Sequence, residues 1–456
     1  MRSSSRSRRD FAPDGGARAT ASAKGAAGSR PRWLPGAAVV VVALAIAVLW
    51  RMGGRPGGST PPGGPAEGPG QAGAAGTAAP FELRGPGPQD VGFDVNAPAA
   101  ILIDAETGQV LFEKSADTTM HPASIAKIMT MLVTMDAVKQ GYVSLKDPVR
   151  VSRNAEAMGG SQVYLVAGET FPLEKMMRAI AIASANDAAV AVAEHVAGTV
   201  GAFVTLMNQK AKDLGMTHTH FVNPDGLPPD AGPDPNVTTA REVAIMARAL
   251  ITQYPEVLQW TSVRRETFRE NPLLIMDNTN HLLGAIEGVD GLKTGYTTDA
   301  GYSVAATAQR DGRRLVAVVM KTDSDQTRVS QTASLLEFGF RAYRPAVAAL
   351  AEEKVGELRL RGAQPGAVPV KAARTLTVLT LGGRSDGLTR QVVWKPGLKP
   401  PIQEGQEVGW VVASMKGTPL ARVPVVTTAA VRPASGLSRL WIWLRDLVSG
   451  VVVAGR

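Results

Sequence analysis

The chain of 456 residues has no cysteine and only five histidines. Without cysteine there is no disulfide, no thiolate nucleophile and no cysteine-ligated metal, and the redox compartment stays open. The body of the protein also lacks net charge. The total is +9, but residues 1–55 carry ten basic groups against Asp10 and Asp14, which leaves +1 for the remaining 401 residues. A basic groove through a folded domain, and with it a nucleic-acid partner, is not supported. The 45% hydrophobic content excludes a wholly disordered chain, and this length predicts more than one domain.

Residues 1–32 are rich in Ser, Ala, Gly and Arg with few large apolar side chains, which predicts a disordered tail. Residues 33–50 (WLPGAAVVVVALAIAVLW) then run without a charge, near the lower limit for a membrane-spanning helix. Basic groups before the run place the N-terminus in the cytoplasm and the rest of the chain outside. Arg51, Met52 and Arg55 follow where a cleaved signal peptide would need small residues, so segment 33–52 reads first as an uncleaved anchor, with a cleaved signal as the alternative. The Arg8-Arg9 pair resembles a twin-arginine export signal but lies far from the apolar run. Residues 53–80 hold ten glycines and six prolines, a composition that cannot form a core, and 53–92 reads as a spacer.

The pattern then predicts an α+β domain over 93–348, an antiparallel sheet flanked by helices. Residues 99–104 and 109–113 read as one hairpin, 303–308 and 315–321 as a second, with helices at 123–138 and 174–198 between them. Residues 354–432 alternate short β-rich runs with Gly and Pro turns, which predicts a small all-β domain. The final segment, 436–456, sets Leu437, Leu440, Trp441, Leu444, Val448 and Val451 at helical spacing. It reads as an amphipathic helix at a membrane interface, with docking against the chain's own β domain as the alternative.

Three short motifs could carry chemistry. Ser124 and Lys127, after Pro122, are three apart, so both face one side of a helix start. The helix dipole there favours an alkoxide, and partial burial lowers a lysine pKa, so a neutral Lys127 could deprotonate Ser124. This is the one Ser-x-x-Lys in the chain. In the second motif Ser184 can relay a proton, and the Asn186 amide offers both a donor and an acceptor; taken alone it reads as a helix cap. Ser152-Arg153-Asn154 has the same spacing but sits among charges and reads as a surface turn. In the third, Lys293-Thr294-Gly295 on a strand could grip a carboxylate while Gly295 admits close backbone approach.

The order of these motifs, with Ser184 sixty residues after Ser124 and Lys293 a further 109 on, resembles penicillin-binding proteins and class A β-lactamases. Within that group the chain is similar to the low-molecular-mass D-alanyl-D-alanine carboxypeptidases, through 121–130 (HPASIAKIMT), 184–198, 216–227 and 291–303 (GLKTGYTTDAGYS). The resemblance implies a penicillin-binding/β-lactamase-like fold followed by a small β domain and a terminal amphipathic helix. It implies that Ser124 is the acylated nucleophile, Lys127 its base and Ser184 the proton shuttle to the leaving amine. Asn186 would orient the substrate peptide, Lys293 and Thr294 would hold its terminal carboxylate, and the Ser124 and Tyr296 N–H groups would form the oxyanion hole.

The implied substrate is a peptidoglycan pentapeptide stem ending in D-Ala-D-Ala, cut at the extracytoplasmic face of the cell membrane, with β-lactams as covalent inhibitors and no cofactor. A β-lactamase is disfavoured because no Glu-x-x-Leu-Asn lies between the second and third motifs. An endopeptidase and a non-catalytic penicillin-binding sensor stay open. Thr239-Ala240-Arg241-Glu242 reads as a capping box, Asn223-Pro224-Asp225-Gly226 as a turn, and His218 with His220 lacks a third ligand for a metal. No role is derived for His121.

Overall fold

The computed structural model describes residues 83, 92–228 and 235–435; the tail, the 33–52 segment, most of the spacer and the 436–456 segment lie outside them. Five strands make one antiparallel sheet: β1 (Ala99–Asp104), β2 (Val110–Lys114), β3 (Val289–Thr297), β4 (Gly301–Arg310) and β5 (Arg313–Thr322). Their spatial order is β2-β1-β5-β4-β3. Both ends of the domain therefore build one sheet, as the two hairpins in the sequence predict.

Burial explains why β1 and β5 are apolar almost throughout. Ile101, Ile103, Val316 and Val318 face one hydrophobic cluster, while Ala100, Leu102, Ala317 and Val319 face another on the opposite side. A strand covered on both faces needs no polar alternation. The first cluster packs against α1 (Lys127–Lys139), α2 (Leu173–Ile182), α3 (Asn186–Ala197), α4 (Val200–Asp213) and α5 (Ala240–Gln253). The second packs against α6 (Asp325–Ala342). Gly339 lets α6 sit close: a Cβ there would lie 2.6 Å from Leu102 Cδ2.

The predicted helix over 174–198 is in fact two helices. α2 ends at Ile182, and the Ala183 and Ala185 N–H groups both return to the Ala179 carbonyl. Ser184, between them, adopts φ +60°, a left-handed conformation costly for a side chain with a Cβ. Ser184 does not cap α3 either; Ala185 holds that position with no side-chain bond. At residues 123–138 the first turn is 3₁₀ (Ala123–Ala126) and the α-helix starts at Lys127. The Thr239 cap accepts from the Glu242 N–H, but the Glu242 carboxylate turns to the His218 N–H and the Thr219 hydroxyl, so only half of the capping box forms.

After α6 the chain enters a second core. Its main sheet holds, in chain order, β7 (Lys354–Arg359), β8 (Ala367–Ala372), β10 (Leu388–Trp394), β11 (Glu407–Met415) and β12 (Thr418–Thr427). The spatial order is β7-β8-β12-β11-β10, and a separate pair joins β6 (Tyr343–Ala349) to β9 (Leu376–Leu381). Gln109 ties this region to the first sheet. Its buried amide donates to the Leu379 carbonyl at 2.6 Å and accepts from the Leu379 N–H at 2.9 Å, as a strand neighbour would. The buried Tyr343 hydroxyl donates to the Leu111 carbonyl at 2.6 Å beside it.

Among the described residues no single helix is long and apolar enough to cross a membrane, and one bent pair, α3 with α4, passes by length and composition. α3 is mostly core.

Candidate active site

The 3₁₀ turn at Ala123–Ala126 presents Ser124 half-buried at the start of α1, with Lys127 one turn on and fully buried. Lys127 Nζ lies 3.0 Å from Ser124 Oγ, 2.6 Å from Asn186 Oδ1 and 2.5 Å from the Asp225 carbonyl. Two of these partners can only accept, so they fix two N–H bonds of the lysine. The remaining position faces the serine. In the neutral amine that position is the lone pair, and the Ser124 hydroxyl can then donate to it. Burial pushes the Lys127 pKa down to about 8, against the opposing pull of the Asp225 and Asp187 charges.

Asn186 is held as tightly as the lysine it serves. Its Nδ2 donates to the Gly159 carbonyl at 2.7 Å, its backbone N–H to Ser161 at 2.7 Å, and its Oδ1 accepts from Lys127. The amide orientation follows from this network, because only the oxygen can meet the lysine and only the nitrogen the carbonyl. One N–H of the side chain stays available for a substrate peptide. Ser184 is nearly buried, and its hydroxyl has no hydrogen-bond partner among the described residues.

β3 brings the third motif alongside. At Gly295 an added Cβ would stand 2.5 Å from the Pro122 carbonyl and 3.2 Å from the Ile125 nitrogen. Only glycine lets this strand close on the turn carrying Ser124. Lys293 is buried, donates to the Thr294 carbonyl at 3.0 Å and has no carboxylate within 4.0 Å among the described residues. Burial, then the positive charges of Lys127 and Arg328, hold its pKa well below the usual lysine value. Thr294 Oγ1 meets Thr279 Oγ1 at 2.6 Å, and Thr279 N donates to the Ile182 carbonyl just before the second motif. Tyr296 is half-exposed at the rim, its ring 4.2 Å from that of Tyr302.

Ser124, Lys127, Asn186, Lys293, Thr294 and Gly295 thus meet around one cleft, with Ser184 two residues before Asn186. The rival Ser152 caps the short helix Arg153–Glu156, and Asn154 bonds Glu194 on the surface. Reading Asn223-Pro224-Asp225-Gly226 as a mere turn misses its part in the site. Its Asp225 carbonyl receives Lys127, its Pro224 carbonyl receives Thr130 at 2.5 Å, and a Cβ on Gly226 would strike the Ala123 carbonyl at 1.9 Å. Its Asn-Pro and Asp-Gly pairs signalled a turn but nothing of its location. Sequence reasoning also passed over Thr279, and over Arg328, whose buried guanidinium bonds Asp325 and the Ser303 carbonyl. His121 Nδ1 lies 3.1 Å from the Asn236 carbonyl. Among the described residues no group of three His, Cys, Asp or Glu side chains could hold a metal.

Residues 86–324 match the family described as D-alanyl-D-alanine carboxypeptidase, and residues 349–433 match the C-terminal domain of penicillin-binding protein 5. The chain is 35% identical over 347 residues to the D-alanyl-D-alanine carboxypeptidase DacF of Bacillus subtilis, covering 75% of this chain and 88% of that protein. Its fold is similar to penicillin-binding protein 5 from Haemophilus influenzae (TM-score 0.65, 28% identity, 75% of this chain and 98% of that one). It is also similar to penicillin-binding protein D2 from Listeria monocytogenes in its ampicillin-bound form (TM-score 0.50, 33% identity, 55% and 99%). The chain belongs to the serine-type D-alanyl-D-alanine carboxypeptidases of the penicillin-binding-protein fold, with the C-terminal β domain of penicillin-binding protein 5.

Proposed function

We propose that this enzyme removes the terminal D-Ala from peptidoglycan pentapeptide stems through an acyl-enzyme on Ser124, and that β-lactams acylate the same serine. The observation that carries the proposal is the contact between a fully buried Lys127 and Ser124 Oγ at 3.0 Å. The terminal carboxylate binds at Lys293 and Thr294, with Arg328 adding positive charge behind Lys293. Lys127, as the neutral amine, takes the hydroxyl proton while Ser124 Oγ bonds to the penultimate D-Ala carbonyl carbon. The developing oxyanion is met by the Ser124 and Tyr296 N–H groups. Ser184 passes the proton to the leaving nitrogen, the C–N bond breaks and D-Ala departs. Water then attacks the ester, gives its proton back through Lys127 and releases the shortened stem. Asn186 keeps Lys127 aimed and offers its free N–H to the substrate peptide.

The 33–52 segment would anchor the chain, the 53–92 spacer would hold the catalytic domain off the outer face of the membrane, and 436–456 would lie in the interface. Peptidoglycan outside that membrane suits such a placement.

The test uses fluorescent penicillin and a peptide ending in D-Ala-D-Ala. Wild-type protein should form a covalent adduct lasting minutes or longer and release D-Ala, while Ser124→Ala should do neither. An adduct on the Ser124→Ala protein would sink the assignment, and rapid loss of the adduct would make the enzyme a β-lactamase.

A further inference from the structure

Beside Asn186 the chain from Gly159 to Val166 is gripped from both sides, far more firmly than an exposed loop requires. From the inside, the buried Asp187 carboxylate accepts from the Val163 N–H at 3.1 Å, the Leu165 N–H at 3.0 Å and its own neighbour Ala188 at 2.8 Å. From the outside, Arg269 on the Arg265–Glu270 strand donates to the Val163 carbonyl at 2.7 Å and to the Tyr164 carbonyl. Its other terminal nitrogen pairs with Glu169 at 2.7 Å, and Glu169 accepts from the Val166 N–H at 2.8 Å. Val163 thus has its N–H fixed by one charge and its carbonyl by the opposite charge. Between these clamps Tyr164 is held at φ +51° and 65% exposed. A left-handed tyrosine persists only where its surroundings over-determine it.

The reason for such rigidity lies at the other end of the segment. Gly159 O and Ser161 O are the two acceptors that set the Asn186 side chain and backbone, and Asn186 Oδ1 sets one N–H of Lys127. Gly160 lies so close that a Cβ there would be 2.8 Å from Asn186 Nδ2. We propose that Arg269 is a positioning residue for acylation: by clamping 163–166 it fixes the Gly159 carbonyl, hence the Asn186 amide, hence the aim of the Lys127 lone pair at Ser124. Arg269 touches neither substrate nor reacting atom. Its guanidinium fork is what matters: one terminal nitrogen meets the two carbonyls and the other Glu169, whereas Lys at 269 would keep a cation near the Phe171 and Phe268 rings but donate from a single point. The inference rests on the acyl-enzyme reading.

The experiment follows the rate of labelling by fluorescent penicillin against its concentration, which separates binding from acylation and gives the final labelled fraction. Arg269→Lys and Arg269→Ala should lower the acylation rate constant by roughly 10- to 100-fold, the loss that follows small misplacement of a catalytic group. Penicillin binding, carried by the Lys293 side, should stay within about twofold, and the labelled fraction should stay complete. Arg265→Ala, which breaks an exposed pair with Asp277 in the same hairpin, serves as control and should acylate at the wild-type rate. An unchanged acylation rate in both Arg269 variants overturns the proposal. So does a reduced labelled fraction at unchanged rate, which marks a folding role alone. Wild-type protein that takes no label at all overturns the acyl-enzyme reading, and the proposal with it.

Discussion

The most exacting test of the site is the pH dependence of acylation. Lys127 must be neutral to accept the Ser124 proton, and burial holds its pKa at about 8 rather than 10.5. About one molecule in ten then carries the neutral amine at pH 7, and the acylation rate should rise about tenfold per pH unit below pH 8 before levelling off. The sign follows from the group: a depressed lysine pKa extends the active, unprotonated form to lower pH. The Asp225 carboxylate is the larger of two charges that oppose the depression, so Asp225→Asn should move the rising limb to lower pH. Arg at 127 stays protonated, and Lys127→Arg should lose roughly 10²- to 10⁴-fold in rate. The assay is penicillin labelling from about pH 5.5 to 9.5, with near-ultraviolet circular dichroism confirming the fold at each point. A rate independent of pH below 8, or a Lys127→Arg protein that labels at the wild-type rate, would refute the assignment of Lys127 as base.

Three further outcomes test the surrounding geometry. Lys293→Met should cut kcat/KM on a D-Ala-D-Ala peptide by roughly 100-fold, the loss of a hydrogen-bonded charge pair. Wild-type enzyme should lose about as much on the same peptide with a terminal amide, and the variant should no longer tell the two peptides apart. Gly226→Ala places a methyl carbon 1.9 Å from the Ala123 carbonyl at φ +88°; it should cost about 2–4 kcal/mol by calorimetry and slow penicillin labelling, because the turn carrying Ser124 must move. Gln109→Ala removes both bonds to Leu379 and should lower stability in urea by about 2 kcal/mol while leaving the labelling rate unchanged, since the lost contacts lie away from the cleft.

The parts of the fold legible in the sequence are those set by local pattern. β1 and β5 alternate between two cores, and their apolar runs bounded by turns mark them as strands without reference to the rest of the chain. Ser124 and Lys127 are three residues apart, so a helical start alone brings them together. The break at Ser184 was only half legible: Ser184, Asn186 and Asp187 are cap-prone residues, but no proline or glycine marks a stop and the Ala-rich run from Ala179 to Ala193 otherwise favours one continuous helix. What interrupts the helix is long-range: the Asn186 N–H is taken by Ser161, and Thr279 takes the Ile182 carbonyl. Likewise the turn at Asn223–Gly226 announces its shape through Asn, Pro, Asp and Gly. That its carbonyl receives Lys127 from 98 residues away is a property of the folded core.

Desolvation acts on both lysines of the proposed site, and the groups around each decide what it becomes. Lys127 has three oxygen partners and no carboxylate among them, so it is oriented without being strongly held in the charged state. A carboxylate in place of Asn186 would pair with the buried ammonium but would lose the donor to the Gly159 carbonyl. It would also raise the lysine pKa and abolish the base. Asn at 186 is therefore a neutral acceptor for a chemical reason. Lys293 has one backbone acceptor and two like charges nearby, Lys127 and Arg328, which leaves the cleft short of negative charge. A protein carboxylate beside it would relieve that deficit permanently and occupy the place proposed for the substrate's own terminus. Two buried lysines without a carboxylate partner are thus the condition that the proposed roles require, one to take a proton and the other to recognise a carboxylate.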